Sequence, residues 1–404
     1  MKQIMQWILL MWIVSCGTAN LSSSQELLLS KEGNSLQRLV DKAINSGSTA
    51  ILDRSITVTN SIVVNGNLQL KGMSGVVITN KVMDNDGKLF VLGRGNHSFA
   101  GFTIQQHPNG NAFTTIQDAG SLWNNFFDGV HITNGRTAYQ SSRGGNEKTW
   151  CITTWKNSSI RVATVAIGIF SQDGPFKALH LDNMDIANGK AFGNHIIDVR
   201  QNPDHITHTL YCHPNVSLDF KNVVLAAGGL ALHHFSGGGV PGHAKYLRFD
   251  SLICKSGAFE MVTPGNNPII IKNSELGPYT TLGVPNPMVD AINTKFKNSG
   301  NGISLRGKLT ACTGSVWTSG YGSLEIINCQ LDELNFRPGG RAIVRNSNIQ
   351  FIGGGDRGNR FEGEFYNTQI GSINITEALG TLKMDRRSLY KQNNNNVPII
   401  KMAN

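Results

Sequence analysis

Apolar residues recur along this chain in short runs, most of them closed by Gly, Asn, Asp or Ser. One stretch near the start has a different period. In Ser35–Ile44 the apolar residues Leu36, Leu39, Val40, Ala43 and Ile44 fall on a single helix face. Asn34 or Ser35 can cap its start and Gly47 follows its end, so a short helix is expected over 35–46. The runs that follow, Ile51-Leu52, Ile56-Thr57-Val58, Ile62-Val63-Val64, Leu68-Gln69-Leu70 and Val76-Val77-Ile78, are strand-sized and separated by turn residues.

A tetrad then repeats: a turn residue, two variable positions and a large apolar residue. It begins at Gly101, Gly129, Asn157, Asn183, Asn222, Asp250, Asn273, Asn293, Asn328, Asn346 and Asn367. Most steps suit one circuit of a stacked architecture, while the long steps from Asn183 to Asn222 and from Asn293 to Asn328 read as insertions or a doubled circuit. A strand, a tight bend and a second strand cannot bury their apolar side alone. Equivalent pieces laid on one another at about 4.8 Å can. Asn suits such a bend because it tolerates left-handed backbone and its amide can bond to copies above and below. An ordinary β-sandwich does not explain the constancy of the tetrad.

Composition sharpens this picture. Charged residues are 16% of the chain, 45 residues are Gly and 40% are hydrophobic, which favours turns and short strands and excludes disorder. The net charge of +9 suits polyanionic partners. Lys2 precedes an apolar run from Ile4 to Val14, then Ser15, Cys16 and Gly17. This reads as a signal peptide over 1–16, too short to span a bilayer, followed by a linker over 17–34. Ile13-Val14-Ser15-Cys16 also resembles a bacterial lipobox, which makes Cys16 a candidate for lipidation and a lipid anchor. An extracellular or cell-surface location is expected, with a virion as the alternative. Cys151, Cys212, Cys254, Cys312 and Cys329 are odd in number and widely scattered, so they suggest buried small hydrophobes rather than a disulfide framework or a zinc site.

The helix at 35–44, the entry Ile62-Val63-Val64-Asn65-Gly66-Asn67-Leu68-Gln69-Leu70-Lys71-Gly72 and the phrase Phe99-Ala100-Gly101-Phe102-Thr103-Ile104 resemble the pectate-lyase-like superfamily. That superfamily includes polysaccharide lyases, polygalacturonase-like hydrolases and phage tailspikes. The resemblance implies an all-β fold: a single-stranded right-handed parallel β-helix, or solenoid, over 35–375 with a short N-terminal capping helix. Residues 376–404 would then form a last strand and tail. It also implies engagement of a polysaccharide, expected to be acidic, by a lyase or a glycoside hydrolase. The alternative is a non-catalytic tailspike-like structural or adhesive shaft, with a homotrimer as its assembly. Such folds share rungs while their sites differ.

Insertions point to sites. The longest step carries His195, Asp198, Arg200, Asp204 and His205, and eight of the eleven histidines lie between His180 and His243. Asp198 or Asp204 with His195 or His205 could move protons, and Arg200 could hold a sugar carboxylate. Trp123, Trp150, Trp155 and Tyr211 are candidate sugar platforms, with His233 and His234 as further binding residues. Trp317 is another such platform. Asp182 and Asp185 flank one tetrad and could serve inverting hydrolysis, though solvated turn residues are the plainer reading.

The strings typical of polygalacturonases are absent. The Gly237-Gly238-Gly239 loop lacks the lysine and hydroxyl of a phosphate cradle, so neither a nucleotide nor a nucleic acid is an expected partner. His205, His208 and His213 do not have the spacing of a helical zinc motif, and no metal site is assigned. No cofactor is expected. Calcium stays open as a lyase's aid, although acidic residues gather only at Asp356, Glu362 and Glu364.

Overall fold

A computed structural model describes residues 25–115, 122–141, 150–162, 166–169, 177–188, 208–212, 216–227, 229–232, 245–255, 258–261, 268–276, 279–282, 288–297, 304–318, 320, 322–354, 360–375, 380–394 and 397–403. Among these residues the fold is all-β with one α-helix, α1, at Leu36–Ser46. The Ser35 hydroxyl accepts from the Arg38 amide, and Gly47 closes the helix at φ 68°. The periodicity that marks α1 in sequence buries Leu36, Leu39, Val40 and Ala43 against the first strands. No helix among the described residues is long and apolar enough to cross a membrane.

Strand pairing is parallel throughout the described residues, and each strand pairs with its counterpart one circuit later in the chain. One column of strands begins at Glu26–Leu28 and Thr49–Leu52 and continues to Thr381–Met384 and Ile399–Lys401. A second begins at Ile56–Val58 and continues to Leu389–Asn393. Strands such as Trp150–Val162 and Lys177–Asn188 run through the bend and serve both columns. A third column extends from Ile62–Val64 to Tyr279–Leu282. The stacking therefore goes beyond residue 375, into the segment read from sequence as a last strand and tail.

The interior is built from rows of equivalent residues. Leu70, Phe99, Phe127, Trp155, Leu181, Phe220, Phe249 and Ile271 are successive register partners in the first column. Each covers the next. The Phe127 and Trp155 rings stack with centroids 4.0 Å apart at 15°. The fourth residues of the tetrads form a similar row, with Ile104, Ile132, Ile160, Ile186 and Leu225 all buried.

The bend between the first two columns is where the tetrad acts. Gly101, Gly129, Asn157, Asn183, Asn222, Asn273, Asn293, Asn328, Asn346 and Asn367 all have positive φ, between 48° and 70°. At the remaining tetrad the left-handed residue is Ser251, one place after Asp250, whose carboxylate accepts instead from Asn273 Nδ2 at 3.0 Å. The corners are bonded vertically. Asn293 donates its amide N–H to Thr310, Ala311 to Ile327 and Asn328 to Arg345, each to a carbonyl on the neighbouring rung. Side-chain amides repeat the pattern: Asn183 donates to Asn157, Asn293 to Asn273 and Asn367 to Asn346, at 2.9, 3.0 and 2.9 Å.

Ala311, at φ 52°, supplies a corner that the tetrad pattern skips. The step from Asn293 to Asn328 is thus two short circuits, the doubled-circuit alternative. Ala stands there in place of Asn, and Gly314 in place of the large apolar residue. A Cβ on Gly314, at φ 95°, would collide with the Phe296 carbonyl oxygen.

A polar network crosses the upper core. His97 Nδ1 donates to Asn125 Oδ1 at 2.8 Å, and Asn125 Nδ2 donates to Tyr139 Oη at 3.1 Å. Thr153 also donates to Tyr139 at 3.1 Å. Burial holds the His97 imidazole below its ordinary value and the Tyr139 phenol well above its own, so both stay neutral.

An unsupported left-handed L-residue costs about 1–2 kcal/mol, a cost Asn reduces, so Ala311→Asn should raise stability by about 1 kcal/mol and Asn328→Ala should lower it comparably. Urea midpoints read both, and unchanged midpoints would contradict the corner assignment. As pH falls below 6.5, the unfolded chain takes up a proton at His97 that the folded chain refuses. That contribution to stability is full above pH 6.5 and declines below it, by up to about 1.4 kcal/mol per pH unit. His97→Asn should flatten this limb, as measured by denaturation between pH 5 and 7.

Candidate functional site

His195, Asp198, Arg200, Asp204, His205, His233, His234 and Cys16 lie outside the described residues. Trp123, Trp150 and Tyr211 lie in the strands Leu122–Asp128, Trp150–Val162 and His208–Cys212, and their side chains are outside the description. Trp155 is placed fully and is no sugar platform. It is buried between Phe127 and Phe113 because its register position belongs to the inner row. Trp317 is half-buried, with the Arg337 guanidinium 4.3 Å from its ring centre, so a cation already occupies one face.

Of the acidic candidates, Asp185, Glu362 and Glu364 pair with cations. Asp185 bonds Arg161, and Asp182 stands in register between Lys156 and Lys221. Glu364 lies 3.5 Å from both Arg341 and Lys383. Such cross-strand pairs neutralise a stack in which like side chains would otherwise face each other. Among the described residues no three His, Cys, Asp or Glu side chains gather as metal ligands.

Two features on the outer surface could support chemistry. The first lies on the outward face of the first column. His180 and Asp219 are register partners, as are Asp219 and Arg248. His180 Nε2 is 2.7 Å from Tyr246 Oη, Arg248 approaches Asp219 at 4.0 Å, and its guanidinium lies 5.1 Å from the Tyr246 ring centre. Burial lowers the His180 imidazole and raises the Tyr246 phenol, so the pair is neutral at pH 7 and is held as a hydrogen bond between nitrogen and oxygen, each of which can serve a ligand as acceptor or donor. A guanidinium beside it can hold an anion.

The second feature is a channel along the corner. Two adjoining hollows of about 260 and 300 Å³ share Lys295 and Thr313. Their edge is the third residue of each tetrad: Glu275, Lys295, Thr313, Gln330 and Asn348, successive register partners pointing outward. The row continues to Gln369 below, and to Ile253, Val224, Asp185, Ser159 and His131 above. Circuits here are short, 18 residues from Asn293 to Ala311 and 17 from there to Asn328, leaving little chain to rise over the bend. The channel therefore lies on the most compact circuits, away from the long insertion.

No family model matches the chain, and no curated protein or solved structure matches it either.

His180 belongs to the histidine-rich interval noticed in sequence, but Tyr246, Asp219 and Arg248 carry no sequence signal until register aligns them. The channel residues could have been found by reading the third position of every tetrad. The His180–Tyr246 pair makes a direct prediction: His180 should titrate below pH 6.5 by NMR. Asp219 acts against the burial effect, so Asp219→Asn should lower the value further. A value at or above 6.5, or a rise in the variant, would contradict the arrangement.

Proposed function

We propose that this chain is a single-stranded right-handed parallel β-helix of the pectate-lyase-like kind, and that it holds an extended acidic polysaccharide along the corner channel. The observation that carries this reading is the register row from Glu275 to Asn348, which presents one polar or charged side chain per rung. Rungs repeat at about 4.8 Å, close to the length of one pyranose unit, so a straight glycan meets a similar donor or acceptor at each residue. Parallel crossovers are right-handed in about 98% of cases, which supports the handedness. The charge of +9 favours an anionic polymer, and within the row Lys295 is the cation while Lys297 holds the neighbouring Glu275 carboxylate. The signal-like N-terminus supports action outside the cell, where such polymers are found.

Cleavage is a second reading, favoured by the neutral His180–Tyr246 pair beside Arg248. If glycan is held and no product forms, the chain is a binding shaft of the tailspike-like kind.

Calorimetry against a panel of acidic glycans, with a neutral glucan as control, tests the reading. Binding should weaken with salt, and Lys295→Ala with Gln330→Ala should reduce affinity about tenfold, or 1.4 kcal/mol. Both residues are exposed, so the fold should survive. No binding across the panel, or binding untouched by the double substitution, would sink the assignment.

A further inference from the structure

Cys312 and Cys329 are 17 residues apart in the chain and one rung apart in the stack. Each follows a left-handed corner residue, Ala311 and Asn328. The Cys312 amide donates to Cys329 Sγ at 3.3 Å, and Gln330 donates its amide to the Cys312 carbonyl at 3.0 Å. Both side chains are buried.

The position they share needs no sulfur. In neighbouring rungs it is occupied by Ser274, Thr294, Ser347 and Thr368, and each hydroxyl donates to the carbonyl two residues earlier. Cys312 and Cys329 make the same bond to Thr310 and Ile327 at 3.4 and 3.3 Å, with the weaker thiol donor. Hydroxyls thus suffice at the corner, and two consecutive thiols provide something a hydroxyl cannot. Adjacent strands are about 4.8 Å apart, inside the 4.4–6.8 Å window between Cα atoms that a disulfide spans.

We propose that Cys312 and Cys329 form a crosslinking site, closing to a disulfide that staples two consecutive rungs at the corner. The oxidant is a low-molecular-weight disulfide such as oxidised glutathione. The Cys329 thiolate attacks it, forming a mixed disulfide and releasing one glutathione thiolate. The Cys312 thiolate then displaces the second. Two protein S–H bonds and the oxidant S–S bond are broken, one protein S–S bond forms, and the two protons leave on two molecules of reduced glutathione. Because both thiols are buried once the rungs are stacked, closure belongs to folding, before the corner is covered.

The full chain, unfolded in denaturant and refolded with oxidised and reduced glutathione, provides the test. Alkylation under denaturing conditions and peptide mapping should show one peptide pair joined through Cys312 and Cys329, with a mass lower by two hydrogens and two fewer alkylation sites. The urea midpoint should exceed that of the reduced protein, and both effects should vanish in Cys312→Ser. A Cys312→Ser/Cys329→Ser variant, in which each corner carries the residue native to Ser274 and Ser347, should match the reduced protein. Full alkylation of both thiols after oxidative refolding, or a crosslink joining either to another cysteine, overturns the proposal. The wild-type peptide map decides this even if a variant fails to fold.

Discussion

The structure depends on one backbone constraint: from Gly101 to Asn367 each described circuit turns at the same place, through one residue in the left-handed region, so that the next strand starts in register with the strand above. A slip of one residue would send each inner row outward, because side chains alternate across a strand. L-residues resist the left-handed conformation, and Asn resists it least among those with side chains. That is why Asn fills most of the corners from Asn157 to Asn367. Its amide also bonds the same amide one rung away, so the residue that permits the turn helps hold the turns together.

Register carries consequences inward and outward. Inward, it sets Phe127 on Trp155 and Phe220 on Phe249, so the core is a set of rows rather than a pooled interior. Outward, it gathers residues that sequence scatters. His180, Asp219 and Arg248 are neighbours across three rungs, and Glu275 to Asn348 form the edge of one channel. The same alignment brings two distant cysteines together at adjacent corners. In the proposed function, a polymer would follow the row because the row already repeats at strand spacing.

Much of the stacking was legible because the corner residue and the buried fourth residue are both chemically restricted. The helix could be read from its apolar face, and the doubled circuit was among the readings left open for Asn293 to Asn328. What escaped did so for local reasons. Ala311 and Gly314 replace both diagnostic residues of one tetrad, which hid the rung that relates Cys312 to Cys329. Ser251 takes the turn beside Asp250 because the carboxylate keeps its acceptor role one position earlier. Trp155 looked like a surface ring because an isolated Trp gives no clue to its register. The acid–base candidates at 195–205 lie outside the described residues, while the pair that is described depends on Tyr246, which precedes a strand and belongs to no motif.

The alignment itself can be measured by one pulsed electron-resonance distance. His131 and Asn348 lie on the same outward row, nine ladder steps apart. At about 4.8 Å per step, nitroxides at these two positions should be separated by about 43 Å. A narrow distribution near that value would show that the corners rise one rung at a time without a break. A distance well below 30 Å, or a broad spread, would contradict the stacked register on which the core, the channel and the cysteine pair all depend.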